Sequence, residues 1–548
     1  MYGLIAVGKE WHGVLRPTVE ISLSPWALPK YTFFSLTRGF AAYALSLVFT
    51  LVYGYIAAYN RKAEKIMLPV LDILQSIPVL GFLPSLILAF ITIFPSSNVG
   101  LELAAVVMIF TGQVWNMTFS FYNSLKSIPN DLREAARVYK LNWWERFTKL
   151  ELPYSSIGLV WNSMMSMAGG WFFLTINEAF VLGNKDFRLP GIGSYMSVAI
   201  QQGNLPAMIY AIIAMTLMIL TVDQLFWRPI VAWSQKYKFE ETESSETNSS
   251  FVLTLLQRSR IMKFTKMNIW HPFYSSLSLR LSKSGVAVES PRDSSWTTSL
   301  RPFAGWVVLG TFGTLVGLGT WKLGSLLSGI SLDTWLTIIG HLSVTFGRVL
   351  IAITLGTLFM IPLGVRIGMN PNIARLLQPA VQVVASFPAP MLFPLVILGL
   401  TKLGIGINWG AIALMMLGTQ WYILFNVVAG AMAIPNDLRE AAHVSRLSRW
   451  KTWQVLILPA IFPNLITGWV TAAGGAWNAS IVAEYVHYGD HFLIATGLGS
   501  TITTATDNAD YGMLTASVLA MAVTVVVFNR VFWKKLYTLA EARFSLNK

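Results

Sequence analysis

The nonapeptide IPNDLREAA stands at residues 128–136 and again, unchanged, at 434–442. A nine-residue identity at an offset of 306 reflects self-similarity of the chain and not an accident of composition. The register continues outward. Gly112, Trp115, Pro153, Gly169, Trp171, Glu178 and Gly193 match Gly418, Trp421, Pro459, Gly475, Trp477, Glu484 and Gly499. Upstream the offset is 310, pairing Arg38 with Arg348, Gly54 with Gly364, Pro69 with Pro379 and Pro78 with Pro388. Whatever this chain folds into, it folds into it twice.

The repeated unit belongs in lipid. Hydrophobic residues make up 54% of the 548 and charged residues 12%, about half the roughly 25% of a water-soluble chain. Apolar runs long enough to cross about 30 Å of hydrocarbon as helices recur along the sequence. They fall near 38–59, 67–95 (broken at Pro78), 100–126, 155–182 and 205–230, then near 303–326, 339–368, 376–401, 409–430, 461–486 and 508–533. The expected fold is an all-α polytopic membrane protein with 5 spans followed by 6, about 11 in all. Residues 1–239 form the first repeat, 240–302 a cytoplasmic linker and 303–548 the second repeat.

The linker is rich in Ser, Thr and charge, and its segment 255–270, LLQRSRIMKFTKMNIW, suits either a disordered tether or the surface of the anionic inner leaflet. The counterpart of 303–326 would begin before residue 1, so the first repeat is expected to lack or truncate that helix. Met1 runs almost directly into Lys9-Glu10 without the regions of a cleaved signal peptide.

Charge sets the orientation. The 40 basic against 26 acidic residues give +14, an excess that would suggest nucleic acid in a soluble chain. Here Arg61, Lys62 and Lys65 follow the first span, and Arg228, Lys236 and Lys238 follow the fifth, whereas the 95–100 connection is uncharged. The basic loops are therefore cytoplasmic, and with them the segment 131–149. Six spans separate the two nonapeptides, so both face the same side and the repeats are parallel about an axis along the membrane normal. The chain has no cysteine, which excludes disulfides, thiolate metal sites, iron–sulfur clusters and cysteine nucleophiles.

In the nonapeptide, Pro129 suits the first turn of a helix and Asp131 complements its dipole. Paired alanines at 135–136 and 441–442 let another protein approach closely, with Arg133, Glu134, Arg439 and Glu440 offering charged hydrogen bonds at the rim. An ordinary interfacial helix would look similar in one copy. Two identical copies in otherwise diverged halves point to two equivalent partners.

Glu-Ala-Ala followed after about sixteen residues by Leu-Pro (Glu134 to Pro153, Glu440 to Pro459) resembles the EAA loop of type I ABC importer permeases. The segments QSIPVLGFLP (75–84) and ASFPAPMLFP (385–394), with the closing FWRP and FWKK, resemble the nitrate/sulfonate/taurine group. The resemblance covers nearly the whole chain apart from the N-terminus and linker. It implies a fused permease in a bacterial inner membrane, carrying a small anion such as nitrate, sulfonate, taurine or bicarbonate delivered by an external binding protein. Each loop would dock one of two separate ATPase subunits, which bind ATP and Mg, since no G-x-x-x-x-G-K-[ST] segment occurs in this chain. No catalytic residue, metal or cofactor is expected in the chain itself, and no nucleic-acid partner.

The resemblance has one departure. The family usually has glycine four residues after the second alanine, where this chain has Lys140 and Arg446. Side chains resist the left-handed conformation, so the bend is expected to differ or the helix to continue, with the added charge meeting acidic groups on the ATPase.

Polar groups inside spans face an interior or a cavity. Gln113, Trp115 and Asn116, against Gln420, Trp421 and Tyr422, are candidates to line the path. Glu178 and Glu484 either gate or contact solute, or serve structure by capping a helix or pairing with Arg38 and Arg348. The broken helices at Pro78 and Pro388 are candidate gates or simple kinks. His487 and His491 flank Asp490 at a spacing that could hold a metal, though an external loop without a counterpart in the first repeat is the plainer reading. A fused ferric-iron permease, a parallel-repeat secondary transporter and a membrane enzyme remain as alternatives. The duplicated loop argues against the second, and the lack of a metal or nucleophile constellation against the third.

Overall fold

The apolar runs become helices, and the repeat becomes a repeated order of elements. The computed structural model describes residues 19–182, 185–237, 317–488 and 491–544, with Gly8, Trp11, Gly13 and Thr314. In the first repeat the order is α1 (Leu28–Tyr59), α2 (Arg61–Ser76), α3 (Leu83–Ile93), α4 (Val99–Lys126), α5 (Asn130–Val138), α6 (Trp143–Arg146) and α7 (Leu152–Asn177). A hairpin of β1 (Ala179–Leu182) and β2 (Lys185–Arg188) follows, then α8 (Ile192–Gln201), α9 (Leu205–Val222) and α10 (Arg228–Ser234).

The second repeat has the same series. It runs α11 (Leu332–Met369), α12 (Pro371–Ser386), α13 (Phe393–Lys402), α14 (Ile407–Met432), α15 (Asn436–Val444), α16 (Arg449–Thr452) and α17 (Leu458–Ala483). The hairpin of β3 (Tyr485–Tyr488) and β4 (His491–Ile494) comes next, then α18 (Leu498–Asp507), α19 (Tyr511–Phe528) and α20 (Lys534–Phe544).

Small residues bring the spans together. One face of α1 carries Ser35, Gly39, Ala42, Ser46, Thr50 and Gly54, all buried. It packs along α4, where Thr50 and Thr118 hydroxyls meet at 3.1 Å. A side chain at Gly54 would come within 2.8 Å of Phe121, and one at Gly364 within 2.7 Å of Val427, so glycine sets the approach in both repeats. The opposite faces suit lipid: α9 exposes Ile209, Ile213 and Leu217 at helical spacing.

Among the described residues seven helices are long and apolar enough to cross a membrane, or nine if each bent pair is one span. That is fewer than the eleven expected, for two reasons. The span 303–326 lies mostly outside the described residues, with 317–327 helical. Helix α7 matches α17 in length, at 26 residues, but Ser155, Ser156, Asn162, Ser163 and Ser166 make it less apolar. The linker 240–302, its segment 255–270 and both proposed domain limits also lie outside the described residues.

The run read as 155–182 is helical only in part. Helix α7 ends at Asn177, and the apolar Ala179–Leu182 that prolonged the run is a β-strand.

The repeats embrace reciprocally. Helix α2 and the 3-10 turn Val79–Phe82 of the first repeat pack on α17 and α19 of the second. Helix α12 and the turn Ala389–Leu392 pack on α7 and α9 of the first. Each hairpin likewise touches the other repeat's short helix, β1 against α18 and β3 against α8.

Candidate functional site

The nonapeptide helices α5 and α15 begin after Pro129 and Pro435, with Asp131 and Asp437 in their first turns. Arg133 does not reach outward to a rim. Its Nη2 donates to the carbonyls of Leu125 (2.9 Å) and Lys126 (3.2 Å), and Arg439 donates to Ala431 at 2.8 Å. Each arginine thus satisfies orphan carbonyls at the end of the preceding span and fixes the angle of the motif. Ala136 is buried against its own protein, so its small side chain serves internal packing. Glu134, Glu440 and Ala441 are exposed, and Ala135 and Ala442 partly so. Val138 and Val444 stand out at the helix ends, 78% and 80% exposed.

The bend differs from expectation. Lys140 and Arg446 adopt left-handed conformations with φ of 49° and 48°. Leu141 N–H donates to Ala136 O while Lys140 N–H donates to Arg137 O, and Leu447 and Arg446 repeat this on Ala442 and His443. This is a Schellman ending with a long cation where glycine is the rule. The two closing hydrogen bonds hold a conformation that costs a side-chain-bearing residue about 1 kcal/mol.

Behind the bend, Pro153 and Pro459 each lie in the first turn of a span and lack the N–H that an unbroken α-helix would use. The turns just before them, Phe147–Glu151 and Trp453–Ile457, widen to π-helix.

Glu178 and Glu484 are absent from the cavity wall; each is locked at the end of its span. In the first repeat Arg38 holds Glu178 at 2.8 Å and Glu102 through Nε (2.5 Å) and Nη2 (2.7 Å), and donates to Pro190 O. Glu178 also accepts from Ser35 Oγ (2.6 Å) and from the Gly193 N–H (2.7 Å) in the first turn of α8. In the second repeat Arg348 holds Glu484 at 2.8 Å and donates to Asn408 and to Thr496 O. Thr345 and the Gly499 N–H complete the Glu484 shell. One clamp therefore ties α1, α4, the end of α7, the stretch after the hairpin and α8 together, and its twin does so for α11, α14, the end of α17, the stretch after the second hairpin and α18.

Sequence reasoning missed Glu102, Ser35, Asn408 and Thr345. A signal existed, because a buried arginine demands a carboxylate and Glu102 is the one acid in α4.

A cavity of about 200 Å³ lies between the repeats. Trp115 and Trp421, at equivalent positions, both face it, joined by Asn116 and Tyr422. Gln113 and Gln420 do not. The repeat register pairs Gln113 with Thr419, so the two glutamines occupy different helix faces. Gln113 is buried beside Ser46 and Met167, and Gln420 lies against Gly356 of α11.

The glycines at 169 and 475 also face the cavity, and Tyr422 fills the room they leave: a side chain at Gly169 would stand 3.5 Å from its hydroxyl. Pro78 and Pro388 are buried at bends of 87°, and the residues just after them, Val79 and Ala389, line the cavity.

Asn478, in the same wall, reaches across the seam. Its Oδ1 accepts from the freed backbone N–H of Val79 (2.8 Å) and, more weakly, Leu80 (3.5 Å). At the matching seam Phe172 replaces Asn478 and Pro390, which has no N–H, replaces Leu80.

The histidines belong to the second hairpin, where His487 pairs with Phe492 and stacks on its ring at 4.5 Å, and His491 pairs with Tyr488. Asp490 and the His491 side chain lie outside the described residues.

This geometry repeats at the scale of whole sequences. The family described as "Binding-protein-dependent transport system inner membrane component" matches residues 50–226 and again 360–533. The chain belongs to that family. It is a multi-pass membrane transport subunit with the family's domain present twice.

The taurine transport system permease protein of Escherichia coli is 24% identical over 183 residues, 33% of this chain and 63% of that protein. The bicarbonate transport system permease protein of Synechococcus elongatus is 30% identical over 143 residues, 26% of this chain and 50% of its own length. The trimethylamine N-oxide transport system permease protein of Pelagibacter ubique is 22% identical over 499 residues, 82% of this chain and 64% of that protein. The chain spans between half and two thirds of the length of these relatives.

Proposed function

We propose that the chain supplies both transmembrane halves of an ATP-driven importer in a bacterial inner membrane. Two separate ATPase subunits, which bind ATP and Mg, dock on α5 and α15. An external binding protein delivers a small polar solute of the kinds for which the relatives are named, the expected small anion among them. The solute passes through the cavity between the repeats.

One observation carries this reading: the two helices of the repeated nonapeptide, each fixed by its arginine, present Glu134 and Val138 or Glu440 and Val444 outward, and both repeats line the cavity between them. A secondary transporter has no need for two such surfaces. The clamps fit as struts that hold each span to its hairpin while the motif helices are pushed from below.

Replacing both Glu134 and Glu440 with lysine should cut ATP-dependent uptake in membrane vesicles at least roughly tenfold, a loss of about 1.4 kcal/mol of productive docking. The purified double variant should keep its thermal midpoint, since both side chains are exposed. Uptake and its ATP dependence left intact in that variant would remove the docking assignment.

A further inference from the structure

We propose, on the importer reading above, that the solute for this cavity is a compact dipolar molecule, an N-oxide or zwitterion with its own cationic centre beside an oxygen, and not a bare oxyanion.

The first ground is charge. No Lys, Arg or His stands among the described residues of the cavity wall, whose polar groups are amides and hydroxyls such as Gln75, Thr111, Asn116 and Thr471. The buried arginines among the described residues, Arg38 and Arg348, are held in the clamps by Glu102, Glu178 and Glu484. A bare anion entering this space would leave water without a countercharge, and neutral dipoles offset that loss only in part. A dipolar solute brings the countercharge with it.

The second ground is the wall's aromatic character. Trp115 and Trp421 enter from equivalent positions on the two repeats, with Tyr422, Phe172 and Phe173 beside them. Aromatic faces carry negative potential, so they attract a cationic or methylated ammonium group and repel an anion. Each such contact contributes about 0.5–2 kcal/mol, with Trp the best partner.

The oxygen end of such a solute can meet the hydroxyls and amides of the same wall, Thr111, Asn116 and Thr471 among them.

The test is ATP-dependent uptake of four radiolabelled probes by vesicles carrying the full chain with its ATPase and binding-protein partners. Trimethylamine N-oxide and taurine represent the dipolar class, nitrate and bicarbonate the bare anions. Uptake of at least one dipolar probe should exceed that of either anion by tenfold or more. Trp115→Leu and Trp421→Leu should each lower dipolar uptake about tenfold, and Trp421→Phe should retain most of it. The thermal midpoint of each purified variant should change little, which separates a lining role from loss of fold.

Nitrate or bicarbonate uptake equal to or above that of the dipolar probes would overturn this inference while leaving the importer reading in place. Equal uptake by the Leu and Phe variants would overturn the role of the aromatic faces. If the parent complex takes up no probe and the complex assembled with the Glu134/Glu440 lysine variant hydrolyses ATP like the parent complex, the importer reading falls as well.

Discussion

In the first repeat Arg38 holds two carboxylates, Glu102 at 2.5 and 2.7 Å and Glu178 at 2.8 Å, whereas in the second Arg348 holds Glu484 at 2.8 Å and turns to the side-chain oxygen of Asn408 at 2.9 Å. The arginine, its glutamate, the hydroxyl beside it and the glycine N–H keep their places, yet the formal charge of the cluster is −1 in one repeat and zero in the other. What the fold conserves is the number of acceptors around the guanidinium fork, because a buried donor without a partner is penalised whichever kind of oxygen is missing. The additional negative charge is tolerable because Glu102 lies in the first turn of α4 and Glu178 accepts an N–H from the start of α8, both at positive helix ends.

This comparison makes a crossed prediction. Arg38→Met strands two buried carboxylates and should destabilise the purified chain by about 5 kcal/mol, more than the about 3 kcal/mol expected of Arg348→Met, which strands one. For the glutamates the order of the repeats reverses. Glu484→Gln leaves Arg348 without any carboxylate and should lose about 3 kcal/mol, while Glu178→Gln leaves Arg38 still gripped by Glu102 and should lose about 1–2 kcal/mol. Denaturation midpoints in detergent read all four. Equal losses within each pair would show that acceptor count, and not charge pairing, accounts for the whole effect.

A smaller effect is expected where the repeats agree. Lys140→Gly and Arg446→Gly relieve φ angles of 49° and 48°, and each should raise stability by up to about 1 kcal/mol, alike in both repeats. A loss of stability in either would mean that the long side chain supports the bend.

The smallest effect concerns α6 and α16, where Glu145 in the first repeat corresponds to Lys451 in the second. A hydrogen bond from Lys149, with a second from the Asn142 N–H, holds the Glu145 carboxyl below the usual glutamate range. A lowered carboxyl pKa means stability that is present at neutral pH and lost as pH falls through the folded value. Acidification should therefore lower amide-exchange protection, measured against the intrinsic rate at each pH, in Trp143–Arg146 and leave the protection of Arg449–Thr452, capped by Ser448, unchanged. An equal change in protection in the two short helices on acidification would remove the effect.

Much of this architecture could be read from the chain because duplication writes each constraint twice. The spans, the breaks at Pro78 and Pro388 and the motif helices all follow from hydropathy, proline and identity at a fixed offset. The hairpins could not be read that way. Ala179–Leu182 is as apolar as the helix before it, and the helix stops because the clamp seizes Glu178, a tertiary cause without local signature. Gln113 and Gln420 misled for the opposite reason: similar residues one position out of register lie on different faces of a helix. The left-handed Lys140 and Arg446 could not be foreseen from propensity, since paired hydrogen bonds outweigh it there.

The seam between the repeats bears on what divergence of the two halves makes possible. Asn478 serves the N–H groups of Val79 and Leu80, and the opposite seam dispenses with both the asparagine and one of the donors. A homodimer writes every residue on both sides of its axis, so it could not hold this arrangement. Two first repeats would set Val79 and Leu80 against Phe172 and orphan their N–H groups at both seams. Two second repeats would place Asn478 beside Pro390, an acceptor facing a residue with no hydrogen to give. Divergence of the two halves let each seam find its own solution, and after that step neither half can stand in for the other.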